Sequence, residues 1–442
     1  MKQLLAGPDA IQRIVGPQKI RAEAPYRESR FVVHVPCTEG ELLYNTLTGV
    51  LFLLESGERA EAHRERLIEA RFWVPVDTDE GAYCDSVRRI CRLLHVEKKN
   101  KTGFTILTTT DCNARCYYCY ERGIPRLTMT ETTAADVAAY IARVSGGEEV
   151  ALNWFGGEPL YNRRAIDVVC GRLRELGVPY TSTMTSNGFY LDAATAATAK
   201  ESWNMTNVQI TLDGTRQIYA RAKAYVDGGA DPYGRVLDNI EAALDAGIEV
   251  SIRLNMDGGN ADDLFRLAEE LAARFGGRTG LHTYVQLLQE VVGRIDAFPS
   301  EQEAAQRCMA LSDRLVALGL AKPPQLNREL IVNHCIADND ACEVIAPDGR
   351  ICRCEHYKED EFVGSIYSDA RDQRRIDAWK EAVAFPECGD CPSYPRCSFL
   401  KKCDWSAKGC PESLRIVRME RLKRQIVTAY EEWKQQSTED EG

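Results

Sequence analysis

Gly103-Phe104-Thr105-Ile106-Leu107-Thr108-Thr109-Thr110-Asp111-Cys112-Asn113-Ala114-Arg115-Cys116-Tyr117-Tyr118-Cys119 carries a β-like run into three cysteines set within eight residues. From there to about residue 292, β-runs alternate with amphipathic helical patterns. Strands are predicted at 104–107, 150–155, 181–185, 208–212, 249–254 and 282–288, and helices at 165–176, 193–202, 235–246 and 261–275. Repeated βα units imply parallel strands with helical crossovers, in an open sheet or in a full or partial barrel. In barrels of this kind functional groups collect at the C-terminal ends of the strands, where these cysteines stand.

The 442 residues suggest two or three domains, and 44% hydrophobic with 27% charged residues is an ordinary globular balance. A net charge of −11 argues against nonspecific nucleic-acid binding. No apolar stretch approaches the roughly 18 residues of a membrane span. The opening Met1-Lys2-Gln3-Leu4-Leu5 meets Gly7, Pro8 and Asp9 before a signal-peptide core forms. A soluble, cytoplasmic chain is expected. Of 17 cysteines, nine lie from Cys335 to Cys410, and in a reducing compartment such clustering points to metal ligation rather than disulfides. Cys37, Cys84, Cys91, Cys170 and Cys308 show no ligand spacing and read as buried, inert thiols.

A 4Fe–4S cube usually takes four thiolates, so three on one loop leave an iron for an outside molecule. Alone, Cys112, Cys116 and Cys119 could equally be part of a zinc site. The strand ends that follow add to them. Gly156-Gly157-Glu158-Pro159 combines glycines that permit close backbone approach with an anionic acceptor, Glu158. Thr185-Ser186-Asn187-Gly188, Ile210-Thr211-Leu212-Asp213-Gly214 and Ile252-Arg253-Leu254-Asn255 close the next three β-runs. Singly, the glycine pairs fit ordinary turns, Arg253 a solvated or ion-paired strand residue, and Tyr117 and Tyr118 packing aromatics.

In this order, from Gly103 to about Val292, the sequence resembles the radical S-adenosylmethionine (radical SAM) enzymes. The resemblance implies a partial (β/α)6 TIM-like barrel with a 4Fe–4S cluster on Cys112, Cys116 and Cys119. It implies S-adenosylmethionine held at Tyr118, Gly156, Gly157, Glu158, Pro159, Ser186, Asn187, Thr211, Asp213 and Arg253. It further implies a flavodoxin- or ferredoxin-type electron donor, and cleavage of the sulfonium to a 5′-deoxyadenosyl radical that takes a substrate hydrogen.

Downstream, Cys335, Gly349 and Cys354, followed by Cys388-x2-Cys391-x5-Cys397 and then Cys403 and Cys410, resemble the SPASM extension of peptide-modifying radical enzymes. Five residues separate Cys397 from Cys403 where that pattern has three, and the last interval is short. The resemblance implies two auxiliary 4Fe–4S clusters, making three in all. Cys335, Cys342, Cys354 and Cys403 would hold the nearer one, and Cys388, Cys391, Cys397 and Cys410 the farther one. Cys342 and Cys352 are interchangeable candidates, a three-cysteine cluster with an open iron fits as well, and Cys388-x2-Cys391 alone allows a zinc-ribbon-like site. Such clusters could staple a region poor in apolar residues or accept an electron. Sulfatase-maturing relatives have an aspartate where Glu355 follows Cys354. Glu355 is therefore a candidate catalytic base, or a solvated turn carboxylate beside His356 and Lys358, and the change argues against formylglycine formation.

The first hundred residues contain β-like runs at 31–35 and 71–76 and a helix-compatible apolar pattern at 41–55. This part is similar to the small winged-helix-like leader-recognition domain of ribosomal-peptide maturases, and a plain structural extension fits too. The expected division is 1–100 recognition-like module and linker, 101–295 radical SAM core, 296–322 bridging helix, 323–411 SPASM domain and 412–442 C-terminal helix and tail. The helix should present Leu414, Val417, Leu422, Ile426, Tyr430 and Trp433 to the protein. The expected substrate is a ribosomally synthesised precursor peptide with a leader. The expected reaction is oxidative thioether or carbon–carbon cross-linking. Protein side-chain oxidation and peptide epimerisation are the alternatives within this class, and a non-catalytic zinc or iron–sulfur scaffold is the alternative outside it.

Overall fold

The computed structural model describes residues 1–95, 100–226, 229, 231–289, 295–328, 335–356, 361–380, 385–397 and 409–440. The chain packs as two compact units whose segments interleave in sequence. One comprises Met1–Glu97, Pro323–Cys335 and Ala382–Gly442; the other comprises Lys98–Lys322 and Ile336–Glu381.

In the first unit the strands are β1 (Lys2–Leu5), β2 (Tyr26–Glu28), β3 (Val32–Cys37), β4 (Gly40–Asn45), β5 (Leu51–Glu55) and β6 (Trp73–Pro75). Four form an antiparallel sheet ordered β1-β5-β4-β3, and β2 pairs with β6. The helix-compatible pattern at 41–55 is thus corrected to a hairpin, with Leu42 opposite Leu53 and Tyr44 opposite Leu51. The Asn45 side chain accepts from the amides of Leu47 (2.9 Å) and Thr48 (3.0 Å), and Gly49 turns the chain at φ +71°. The pattern misled because the sheet is covered on both faces. Leu42, Tyr44, Leu51 and Leu53 pack with Leu422, Ile426 and Tyr430 of the helix Glu412–Asp440, whereas Leu43 and Phe52 pack with Leu67 and Phe72. A strand buried on both sides loses its apolar/polar alternation. Of the five cysteines expected to be buried, Cys84, Cys91, Cys170 and Cys308 are, while Cys37 is partly exposed at the end of β3.

The second unit holds β7 (Gly103–Thr109), β8 (Val150–Gly156), β9 (Tyr180–Ser186), β10 (Met205–Leu212), β11 (Glu249–Met256) and β12 (Leu281–Leu287), all parallel and in consecutive order. Beyond β7 the sheet continues through β13 (Cys342–Ile345), parallel to it, and then antiparallel β14 (Arg350–Cys352), β15 (Gly364–Ser365) and β16 (Ser368–Arg371). The result is an open, mixed α/β sheet. Side-chain caps fix several helix starts: Thr130, Asp192, Asp231 and Ser300 each accept a backbone amide three residues on.

Along β10, Val208, Ile210 and Leu212 are buried while Gln209 and Thr211 stay half-exposed. The same alternation sets Ser251 and Arg253 of β11 and Tyr284 and Gln286 of β12 on the polar side. There Tyr284 donates to Gln209 Oε1 (2.6 Å). A closed barrel fills its interior with branched apolar side chains; this sheet keeps a polar, accessible face instead, which suits a binding hollow. Among the described residues no helix is long and apolar enough to cross a membrane.

Ile426 is fully buried against the first unit's sheet. Ile426→Ala is expected to cost about 3 kcal/mol. Hydrogen exchange should show faster opening of β3 to β5 with β8 to β11 unchanged.

Candidate active site

The cysteine loop is fastened to the end of β8 by direct backbone contact. Gly157 N–H donates to the Thr109 carbonyl (3.0 Å) and Glu158 N–H to the Asp111 carbonyl (3.0 Å). A Cβ on Gly156 (φ +132°) would lie 2.1 Å from Thr109 O, and one on Gly157 2.2 Å from Asp111 O. The two glycines therefore let one chain segment lie against the other, in an approach no side chain permits.

Glu158 closes the next layer. Its carboxylate accepts from Asn187 N–H (2.7 Å), Ser186 Oγ (2.8 Å) and Leu160 N–H (3.1 Å), and it is 0% exposed. Burial pushes its pKa up to about 6 against these donors. Pro159 follows in a short 3-10 turn, and its carbonyl accepts from Thr108 Oγ1 (3.0 Å). Asn187 Nδ2 donates to Asn113 Oδ1 in the cysteine loop (2.7 Å). Glu158, Pro159, Ser186 and Asn187 thus brace three strand ends and the loop together, and the acceptor expected of Glu158 is already engaged.

A lysine that the sequence did not single out sits at the centre of the site. Lys223, 1% exposed, ends the helix Arg216–Lys223 and places Nζ 3.0 Å from Asp213 Oδ2, 2.6 Å from Thr211 Oγ1 and 3.1 Å from Tyr118 Oη. Asp213, 0% exposed, also accepts from Tyr118 (2.9 Å) and from Asn255 Nδ2 (3.1 Å). Burial works to lower the lysine's pKa, but the Asp213 carboxylate beside it holds it well above its ordinary value. The Lys223 carbonyl accepts from Arg115 N–H (2.8 Å), and Val226 N–H donates to Asn113 O (2.8 Å), so this segment also pins the cysteine loop. The only sequence signal was Tyr219, four residues earlier on the same helix face and fully buried.

Of the expected cofactor contacts, Tyr118, Gly156, Gly157, Thr211 and Arg253 keep partial exposure, and Arg253 Nε donates to Asn255 Oδ1 (2.9 Å). Beyond the third cysteine, Tyr120 stacks on His356 with ring centroids 3.6 Å apart. Glu355 Oε2 and Tyr120 Oη are buried without a hydrogen-bond partner among the described residues. Burial raises the Glu355 carboxyl, and burial, aided by Arg253, lowers His356 to about 4, so its ring is neutral. Glu121 is driven up to about 8 by burial and then by Glu158.

The thiols of Cys112 and Cys119 are pushed up to about 12 and about 11, mainly by burial, and the Cys116 thiol is raised as well. Three thiols of one loop that burial keeps protonated would ionise only beside a cationic group such as an iron cluster. With Asn113 Nδ2 beside them a buried donor without a partner among the described residues, the residues fit a thiolate-held cluster. Residues 106–271 match the family model described as the Radical SAM superfamily.

The chain contains a radical SAM domain.

Enzymes of that family use S-adenosylmethionine and a 4Fe–4S cluster. A probable GTP 3′,8-cyclase from Methanocella arvoryzae is 32% identical over 172 residues, 38% of this chain and 52% of the cyclase. The chain thus spans about half the length of the curated relatives it matches. Among solved structures, anSMEcpe with bound AdoMet and peptide aligns at TM-score 0.54 and 15% identity, covering 77% of this chain and 99% of that one. SuiB from Streptococcus suis bound to its precursor peptide SuiA aligns at TM-score 0.53 and 13% identity, covering 88% and 99%. At such identities the likeness is one of fold.

Outside the radical SAM domain, the cysteines separate by environment. Cys352 is fully buried in an apolar cluster with Leu107, Val344 and Ala346, its thiol facing the Val344 carbonyl (3.7 Å). Cys342 and Cys354, in the same unit, are half-exposed, and Cys335, in the first unit, is exposed. Cys403 lies outside the described residues. Cys388, Cys391, Cys397 and Cys410 line one small cavity of the first unit with Tyr394, Arg415 and Arg418. The Cys410 thiol is pushed up to about 11, chiefly by burial, with the other three sulfurs adding to the rise. Among the described residues no three His, Cys, Asp or Glu side chains stand at the spacing of a single bound ion.

Lys223→Met strands Asp213 as a buried, unpaired carboxylate and is expected to cost about 3–5 kcal/mol. Adding Asp213→Asn should restore much of that loss in anaerobic denaturant unfolding. Gly157→Ala, with nowhere to put its methyl, should strip iron from the three-cysteine loop, read by metal analysis.

Proposed function

We propose that this chain is a radical SAM maturase of a ribosomally synthesised, leader-bearing peptide, and that it forms an oxidative thioether or carbon–carbon cross-link. The observation that carries this reading is the extent of the shared fold. The likeness to the precursor-peptide complex of SuiB runs through 88% of this chain, whereas the cyclase match covers 38%. The cyclase stretch, at 172 residues, is about the length of the radical SAM match at 106–271. Spanning only 52% of the cyclase, it carries no reading of the substrate.

Cys112, Cys116 and Cys119 would hold the cluster that, with bound S-adenosylmethionine, supplies the 5′-deoxyadenosyl radical. Around it, Tyr118, Gly156, Gly157, Thr211 and Arg253 offer the accessible surface for the cofactor, and Glu158, Asp213, Ser186 and Asn187 keep that surface rigid. Glu355 acts as the base. Its Oε2 is buried, has no hydrogen-bond partner among the described residues and belongs to a carboxyl raised by burial, the setting in which a carboxylate takes a proton readily. The four-cysteine cavity would hold one auxiliary cluster, and Cys342 and Cys354 would contribute to the other, with Cys352 left as a packing thiol. An auxiliary cluster would accept the electron that oxidative bond formation releases. A flavodoxin- or ferredoxin-type protein supplies the reducing electron. The leader adds along the edge strand β3 by backbone hydrogen bonds.

Anaerobic reconstitution is expected to load about twelve irons per chain, four for each of three clusters, and to release 5′-deoxyadenosine on reduction. Two zincs and no nucleoside would refute the reading. Glu355→Gln should lower cross-linked peptide by about 10²-fold or more while 5′-deoxyadenosine release continues, followed by mass spectrometry.

A further inference from the structure

The segment Phe385–Cys397, which carries three of the four cavity cysteines, has little scaffold of its own. Its regular structure is limited to two 3-10 turns, Pro386–Asp390 and Tyr394–Arg396. Arg396 ties it to the Asn327 and Arg328 carbonyls and Arg418 reaches the Cys397 sulfur, but most of its backbone contacts come from the first ninety-five residues of the chain. Arg88, 8% exposed on the helix Glu80–His95, sends one guanidinium nitrogen to the Tyr394 carbonyl (3.1 Å) and the other to the Cys397 carbonyl (2.8 Å). Its charge lies 5.2 Å from the centre of the Tyr394 ring, whose hydroxyl donates to Asp85 on the same helix.

The contacts extend to the sheet. Arg30, two residues before β3, donates to the Gly389 carbonyl, between Cys388 and Cys391. Thr46, in the β4–β5 turn, donates through Oγ1 to the Pro392 carbonyl (2.5 Å), and its own carbonyl accepts from Arg396 Nε (2.7 Å). Beneath these bonds, Phe31, Leu47, Cys84, Val87 and Cys91 form one apolar cluster with Phe385, Cys388 and Tyr394. Every backbone turn between these cysteines is thus held by a residue of the N-terminal module.

We infer that the N-terminal module buttresses the loop of the four-cysteine site, with Arg88 its positioning residue, so that metal occupancy at the site and ordering of β3 and the helix Glu80–His95 stabilise each other. The inference rests on the proposal that these four cysteines hold a cluster. The physical basis is linkage. Both the metal and the module favour one conformation of the same poorly scaffolded loop, so each must strengthen the other by the same factor.

Hydrogen exchange on the full, anaerobically reconstituted chain tests this. In a Cys391→Ser/Cys410→Ser variant, β3 and the helix Glu80–His95 are expected to exchange about tenfold faster, with β10 of the second unit unchanged. Reciprocally, Arg88→Leu should lose the iron of one cluster of three to a mild chelator. Arg88→Lys, able to reach one carbonyl at a time, should retain part of it. Unchanged exchange in the metal-depleted variant, or faster exchange that includes β10, would overturn the coupling. A wild-type chain that holds no iron at these cysteines would instead overturn the cluster reading beneath it.

Discussion

An ammonium and a carboxylate shut away from water, Lys223 against Asp213, hold the catalytic end of the molecule together. Desolvating two charges is expensive, and their attraction repays it only when the remaining hydrogen-bonding capacity is used. Here it is used: Thr211 and Tyr118 surround the ammonium, and Tyr118 and Asn255 the carboxylate. The partners come from the cysteine loop, from β10 and from β11, so a single pair fixes three segments distant in sequence. Glu158 does the same for the cysteine loop, β8 and β9 through backbone amides and a hydroxyl. Two buried anions, each fully engaged, give a rigid frame on which the partly exposed Tyr118 and Thr211 are fixed.

That division of labour was only half legible in the sequence. The βα alternation placed the parallel strands and four of the helices, because β-branched runs and amphipathic helices differ in period. The helix Glu131–Ser145 went unread, since its threonines and alanines form a weak apolar stripe. The 41–55 pattern misread as helical reflects a hairpin covered on both faces. Motif residues such as Glu158 and Asp213 could be located but not assigned an orientation, because adjacent positions on a strand end can face a ligand or a neighbour. Lys223 had no motif of its own, only the large apolar ring of Tyr219 one turn earlier. A lysine on an amphipathic helix reads as solvated until tertiary packing buries it.

The cysteines make the same point. Spacing alone left Cys342 and Cys352 interchangeable, and packing distinguishes them, with Cys352 lying among Leu107, Val344 and Ala346. The family resemblance grouped Cys388, Cys391, Cys397 and Cys410, and all four line one cavity. Which part of the chain they fold with was beyond the sequence, since contacts between residue 88 and residue 397 leave no local trace.

The first unit is assembled from both ends of the chain, and this bears on its synthesis. The sheet residues Leu42, Tyr44, Leu51 and Leu53 leave the ribosome well before Leu422, Ile426 and Tyr430, which cover them. At roughly 5–20 residues per second the interval is on the order of 20–70 s. Throughout that time the nascent hairpin presents a greasy surface, a target for chaperones and for mispairing with other chains. Maturation of this protein in a cell is thus bound to the tempo of translation.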